Sequence, residues 1–372
     1  MNVRDVMNVL EAIAPLHYAE EWDNVGLLIG STDWPADAIL LTIDLTEEVL
    51  LEAIEAKAQM VVAYHPAIFT PLKRVTEATV REQTVLHAAR AGIAVYSPHT
   101  ALDAAPNGVN DWLAHGLGHG DVRALVADRV LPQSEECKIV TFCPADAVDA
   151  IRNGLGTVGA GRIGEYQLCS FELRGQGTFF GGDSTNPAVG ARGTLERVDE
   201  VRLEMVCSQS ALGLAVIALR EFHPYEEPPI EIYQQQPRPD RTSGAGRRVT
   251  LDQKAPLEEI VERIKARLGV ERLRVATGRG RGKTYQTIGL CAGAGGSLLD
   301  EAVNQGCELF FTGEMRHHDV LRAQARGCTV ILAGHTNTER GYLDVLRETL
   351  QEKLGGATIR VSERDEEPLR PM

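Results

Sequence analysis

Two heptapeptides in opposite halves of the chain share one small pattern: Ser97-Pro98-His99-Thr100-Ala101-Leu102-Asp103 and Ala333-Gly334-His335-Thr336-Asn337-Thr338-Glu339. Each reads His-Thr and then a carboxylate four residues after the His, directly behind a short apolar run, Ile93 to Tyr96 and Val330 to Leu332 respectively. In a helix, residues i and i+4 lie on one face. A helical segment at either place therefore brings an imidazole and a carboxylate together at the end of a strand, which is a ligand set for first-row divalent metals. One such pair reads equally as a helix cap; its occurrence in both halves favours a shared, two-lobed site. His65 joins these candidates because it ends the run Val61-Val62-Ala63-Tyr64 and meets Pro66, which stops a β-ladder. The carboxyl end of a strand in an open α/β sheet is where ligands usually sit. His317-His318-Asp319 is a weaker candidate. Adjacent helical residues point about 100° apart, so at most one of the two imidazoles faces a given ion, and both read as pocket-lining or capping groups.

The elements needed to position these residues are legible. In the first 120 residues, strands at 38–43, 60–64 and 93–96 alternate with helices at 46–57, 81–91 and 107–117, Thr46 serving as an N-cap ahead of Glu47 and Glu48. The last 120 residues repeat this order: strands at 287–291, 309–312 and 329–332 and helices at 297–305, 317–326 and 336–354. That is an α/β layer with a largely parallel sheet, duplicated at the scale of a domain. Between the halves, a strand at 138–142, helix at 145–155, strands at 167–173 and 200–207 and helix at 208–222 give a ferredoxin-like β-α-β…β-α-β order. The polar, proline-bearing stretch from Gln234 to Gly246 reads as a linker. The expected domains are two α/β lobes, 1–125 and 247–372, with a module at 136–234 inserted between them.

Other motifs carry less. Gly159-Ala160-Gly161-Arg162-Ile163-Gly164 matches G-x-G-x-x-G, but a helix precedes it and a strand follows, the reverse of a dinucleotide fingerprint, so a tight turn is expected. Gly278 to Thr284 ends like a P-loop, yet Thr277 stands where the first glycine belongs, and a basic hairpin tip is the better reading. Cys291 to Ser297 is a glycine-rich turn from strand to helix, suited either to an anion or to tight packing. With no G-x-S-x-G elbow, nucleophilic catalysis has little support.

Bulk properties narrow the partners. The 372 residues allow two or three domains, and a net charge of −14 repels phosphate backbones and anionic membranes. Seven cysteines without a C-x-x-C pair fit a reducing compartment. Neither a signal-peptide pattern nor a run long enough to span a bilayer is seen, so the expected location is the cytoplasm.

Several stretches together resemble the Nif-three-like family (NGG-one interacting factor three), also known as GTP cyclohydrolase type two homologues. They are Trp22-Asp23-Asn24-Val25-Gly26-Leu27, Tyr64-His65-Pro66-Ala67-Ile68-Phe69, Ser97 through Asp103, Gly108 through Leu113, Thr312-Gly313-Glu314-Met315 through Asp319, and His335 through Gly341. The middle module, with Gly159 to Tyr166 and His223-Pro224-Tyr225-Glu226-Glu227-Pro228, resembles the PII/CutA-like insert of longer members. The resemblance implies a toroidal homohexamer with a two-metal site facing an internal cavity. It implies metal ligands at His65, Asp103, His335 and Glu339, with Glu339 bridging, and one or two Zn, Mn or Fe ions per chain. Many bacterial members carry a second His where this chain has Tyr64, which leaves one metal position short of an imidazole. The expected activity is metal-dependent hydrolysis of a small nucleotide-like or phosphoester substrate, with Glu339, Glu314 and His99 as catalytic residues and Glu314 or His99 as proton shuttle. The other classes are a metal-binding regulatory scaffold with a ligand-sensing PII-like module and an interaction protein of transcription. Nucleic acid and membrane are not expected as partners.

Overall fold

The computed structural model describes residues 1–280, 282 and 284–369. The chain forms two compact units, one made of Met1–Asp128 with Asp240–Met372 and the other of Arg129–Pro239. The first third of the chain supplies strands β1 (Gly26–Ile29), β2 (Ala38–Thr42), β3 (Met60–Ala63), β4 (Ala94–Ser97) and β5 (Gly120–Val130). Strands β6 (Cys137–Cys143), β7 (Phe171–Phe180), β8 (Leu195–Cys207) and β9 (Ile230–Gln234) follow. The remainder supplies β10 (Arg238–Pro256), β11 (Arg274–Ala276), β12 (Thr284–Ala294), β13 (Leu309–Glu314), β14 (Thr329–Leu332) and β15 (Thr358–Val361).

The first unit holds two sheets, ordered β1-β4-β3-β2-β15 and β11-β14-β13-β12-β10-β5. At the heart of each lies a parallel triplet, β2-β3-β4 and β12-β13-β14. An antiparallel strand flanks the third member of each, β1 against β4 and β11 against β14. The duplication expected from the sequence is present in this inner frame. Strands β3 and β4 are buried at every position, which is what near-continuous apolar runs in a parallel sheet require. The helices between them start where the local chemistry places them. Thr46 accepts from Val49 N to cap Glu47–Glu55, and Thr79 accepts from Glu82 N to cap Val80–Arg90.

Three expectations need correcting. The C-terminal strand β15 does not stay in the second lobe; it pairs in parallel with β2 of the first sheet, while β5 joins the second sheet. A boundary at 125 and 247 thus cuts through one interlocked unit, because strand pairing between distant segments leaves no mark in local composition. The stretch from Gln234 to Gly246 is not a linker: from Arg238 it is the start of β10, which lies beside β5. The helix expected at 336–354 is two helices, Asn337–Arg340 and Tyr342–Leu354, joined at Gly341. A Cβ at Gly341 would stand 2.6 Å from the Trp112 ring, so the break lets the indole close in on the backbone.

The second unit, Arg129–Pro239, is a sheet of order β7-β8-β6-β9 in which all neighbours are antiparallel. Helices Val148–Thr157 and Leu212–Phe222 supply its remaining layer, with Ile139, Ile151, Leu203 and Leu219 in the core. This is the split β-α-β order expected for the module. The G-x-G-x-x-G sequence lies between the first of these helices and β7, with Gly159, Gly161 and Gly164 at positive φ, as a turn. Of the P-loop-like stretch, Arg281 and Lys283 lie outside the described residues. Among the described residues no helix is long and apolar enough to cross a membrane.

One buried cation ties the two halves of the first unit together. Arg247 on β10 has no solvent exposure and grips Asp111 of helix Val109–His115 through Nε at 2.5 Å and Nη2 at 3.3 Å. Its remaining N–H groups donate to the carbonyls of Ala104, Ala105, Gly244 and Gly246. Removing one partner of such a buried pair strands the other charge, at about 3–5 kcal/mol. Arg247→Met is expected to lower unfolding free energy by about that much in denaturant titrations, and a change below about 1 kcal/mol would show that Asp111 finds water instead.

Candidate metal centre

The carboxyl ends of both parallel triplets contribute to one cavity of about 480 Å³, lined by His65, His99, Asp103, His335 and Glu339 among others. His65 follows β3 and His99 follows β4, where it opens helix His99–Ala104; His335 follows β14 and Glu339 sits on the helix Asn337–Arg340. His65, His335 and Glu339 each offer a ligand atom within 4.8 Å of the other two. His65 Nε2 lies 3.4 Å from Glu339 Oε2, and His335 Nε2 lies 3.4 Å from Glu339 Oε1. Glu339 is 3% exposed and its Oε2 has no hydrogen-bond partner. A buried carboxylate oxygen without a donor is costly, and a cation between the three groups would satisfy it.

The imidazoles are held for that task. His65 Nδ1 meets Asp44 Oδ1 at 2.9 Å, His335 Nδ1 meets Glu314 Oε1 at 3.0 Å, and His99 Nδ1 meets Asp23 Oδ1 at 2.7 Å. A carboxylate on Nδ1 fixes the ring and its tautomer and leaves Nε2 for a metal. Two imidazoles and one carboxylate are the protein donors of many open zinc and iron sites. The backbone leaves room as well. Gly293 at the end of β12 has φ +58°, and a Cβ there would stand 2.7 Å from Glu339 Oε1 and 3.0 Å from His335 Nε2.

Asp103 and Tyr64 behave otherwise. The Tyr64 hydroxyl donates to Asp103 Oδ1, and Asp103 is not in the three-residue donor cluster. Burial pushes the Asp103 carboxyl up to about 6, the Tyr64 hydrogen bond only partly offsetting it. Burial, then the charges of Asp103 and Glu339, hold the Tyr64 phenol well above its ordinary range. In the metal-free protein Tyr64 is therefore a neutral hydroxyl that donates to Asp103. The His-Thr-x-x-carboxylate pattern closes on itself only in the second lobe. In the first, His99 turns to Asp23 and Asp103 to Tyr64.

Glu314 meets His335 Nδ1 through Oε1. His317 and His318 open the helix His317–Ala325, exposed and apart from the cluster. In the glycine-rich turn after β12, the N–H groups of Gly293 and Gly295 already donate to Thr338 and Thr312 hydroxyls, so packing accounts for them. Asp44 and Asp23 were not singled out by spacing. Asp44 ends the first apolar strand run, as His65 ends the next, and that placement was the available signal. Asp23 is buried, and hydrogen bonds from His99 and Thr100 outweigh the burial and hold its carboxyl below the ordinary value. The same network holds His99 at φ +30°, a backbone conformation that costs about 1–3 kcal/mol.

Burial disfavours charge on His65, but the hydrogen bond to Asp44 and the Glu339 carboxylate 3.4 Å away raise its pKa to about 10 in the metal-free protein. This folded value lies above the unfolded one of about 6.5. The protonated ring therefore adds stability that is complete below about pH 6.5 and lost as the pH rises through 10. The melting temperature of metal-free protein is expected to fall between pH 7 and 10, less steeply in Asp44→Asn; equal slopes in calorimetry would remove Asp44 from this account.

A two-lobed α/β unit with a His-His-Glu cluster at its strand ends, carrying a split β-α-β module, defines the class. Residues 1–368 match the Duf34/NIF3 (NGG1p interacting factor 3) family, and the chain belongs to it. It is 37% identical to NIF3-like protein 1 of Rattus norvegicus over 377 residues, covering 100% of this chain and 93% of the relative. It is 32% identical to the GTP cyclohydrolase 1 type 2 homolog of Bacillus subtilis over 371 residues, covering 99% and 98%. The crystal structure of a Bacillus cereus protein related to NIF3 matches with a TM-score of 0.70 at 30% identity, over 100% of this chain and 99% of that one.

Proposed function

We propose that the protein is a hydrolase-like enzyme that uses one divalent cation, Zn, Mn or Fe, held by His65, His335 and Glu339. The observation that carries this reading is the pair of imidazoles tied at Nδ1 to carboxylates, with both Nε2 atoms 3.4 Å from the carboxylate of Glu339, whose Oε2 has no hydrogen-bond partner. A bound cation of this kind supplies a water of lowered pKa and polarises a substrate oxygen. Three protein donors leave coordination positions open, the mark of a catalytic rather than a structural site.

The chain's own groups do the rest. Asp44 and Glu314 orient the two ligating rings. His99 lines the same cavity with Nδ1 fixed on Asp23, which leaves its Nε2 to take up or give a proton at the reacting atoms. Asp103, masked by Tyr64, stays out of the ligand set, and this favours one ion over two. The substrate class is a small nucleotide-like or phosphoester compound, in keeping with a cavity of about 480 Å³.

Elemental analysis is expected to give about one ion per chain, near zero in Glu339→Ala, and a rise toward two in Tyr64→His, which frees Asp103 and adds an imidazole. A wild-type value of two would contradict the masking of Asp103. Across a panel of nucleotides and phosphoesters with added Mn, Zn or Fe, His99→Asn should lower kcat by about 10²–10⁴ with metal content unchanged. Rates at background throughout the panel, with metal bound, would favour a non-catalytic metal-binding scaffold.

A further inference from the structure

The rim of the metal cavity carries two large aromatic rings exposed to solvent. Trp22 is 61% exposed and Phe69 47% exposed, and both line the cavity. Their ring centroids stand 5.9 Å apart with planes tilted by 60°. His99 forms the floor between them, nearly edge-on to each, with centroids 6.1 Å from Trp22 and 6.4 Å from Phe69. The result is an open V of aromatic surface whose base is the proton-handling imidazole.

Exposed rings of this size on loops are ordinarily mobile or folded down. These are held out. Trp22 precedes Asp23, whose buried carboxylate accepts from His99 Nδ1, from Thr100 N and from Thr100 Oγ1. Asn24 Nδ2 donates to the carbonyl of Ile68, which fastens the Trp22 loop to the segment carrying Phe69. One short network thus ties the segments that carry both rings to each other and to His99. Such preorganisation lowers the entropy cost of binding a rigid partner.

We infer that Trp22 and Phe69 are specificity residues that stack the planar heterocycle of a substrate whose phosphate end lies at the His65–His335–Glu339 cluster. This rests on the metal-dependent reading above and narrows its substrate class to nucleoside phosphates and related heterocyclic phosphates. A flat ring laid against one aromatic side chain has its edge against the other. Two polar groups near them are already engaged: Asn110 spends its amide on Asp103 O and Ala292 N, and Thr100 spends its hydroxyl on Asp23 and receives Glu20 N. Stacking without edge recognition tolerates any base. The stack by itself therefore favours adenine and guanine compounds alike. The carboxylates around the cluster repel phosphate, so the phosphate end is held only when the cation is present.

The test compares guanosine 5′-monophosphate, adenosine 5′-monophosphate and ribose 5-phosphate as probes on zinc- or manganese-loaded full-length protein, by equilibrium dialysis. Both nucleotides should bind at least about five-fold more tightly than ribose 5-phosphate, since a stacked base contributes about 1–3 kcal/mol, and within a few-fold of each other. Trp22→Leu and Phe69→Leu, which lie on different loops, should each reduce nucleotide affinity toward that of ribose 5-phosphate and leave ribose 5-phosphate binding and metal content unchanged. Equal affinity of the three probes for metal-loaded wild type would overturn the inference while leaving the metal reading intact. Absence of metal in wild type would instead remove the reading beneath it. A change of sedimentation coefficient in both variants would assign the rings to contacts between copies of the chain, and would also overturn it.

Discussion

The site depends on the carboxylate of Glu339, buried where the two halves of the first unit meet and flanked by an imidazole from each. Its two oxygens stand 3.4 Å from His65 Nε2 and His335 Nε2. Neither half has the cluster by itself: His65 belongs to the strand ends of one sheet, His335 and Glu339 to the other. The buried Arg247–Asp111 pair and the exchange of β5 and β15 between the sheets fix that relation. Rigidity here matters because a metal ligand displaced by even half an ångström loses much of its value.

Duplication supplied the frame, and divergence supplied the function. Both parallel triplets present polar residues at their carboxyl ends, as open α/β sheets do. In the second lobe the repeated His and carboxylate face each other, His335 from the turn before the short helix that carries Glu339. In the first the same pair has been separated: Asp23 takes His99 and Tyr64 takes Asp103. A symmetrical origin has thus become an asymmetrical site, with two of the three clustered donors on one side and His99 with exposed aromatic rings on the other.

Much of this was legible in the residues, and the reasons are local. The triplet strands are short runs of β-branched and apolar residues, and caps such as Thr46 lie next to the helices they start. His65, His335 and Glu339 stood out because strand ends and i, i+4 spacing are themselves local patterns. What escaped was non-local. Asp23 reaches His99 across 76 positions, and no spacing rule links them. β15 pairs with a strand more than three hundred residues earlier, and the polar stretch after Gln234 becomes a strand only because β5 lies beside it. Asp103 shares that spacing, but in the fold one of its oxygens accepts from the Tyr64 hydroxyl, a contact that no spacing rule foretells. At Gly341, where the apparently continuous helix divides, the Trp112 ring from a distant segment lies where a Cβ would stand.

The claim on which the account turns is that three side chains from two lobes enclose one cation. Anomalous diffraction recorded at the zinc or manganese edge, from crystals of metal-loaded protein, tests this most directly. The account predicts a single strong peak per chain bounded by Nε2 of His65, Nε2 of His335 and the carboxylate of Glu339. A peak coordinated by Asp103, or none within bonding reach of Glu339, would contradict it.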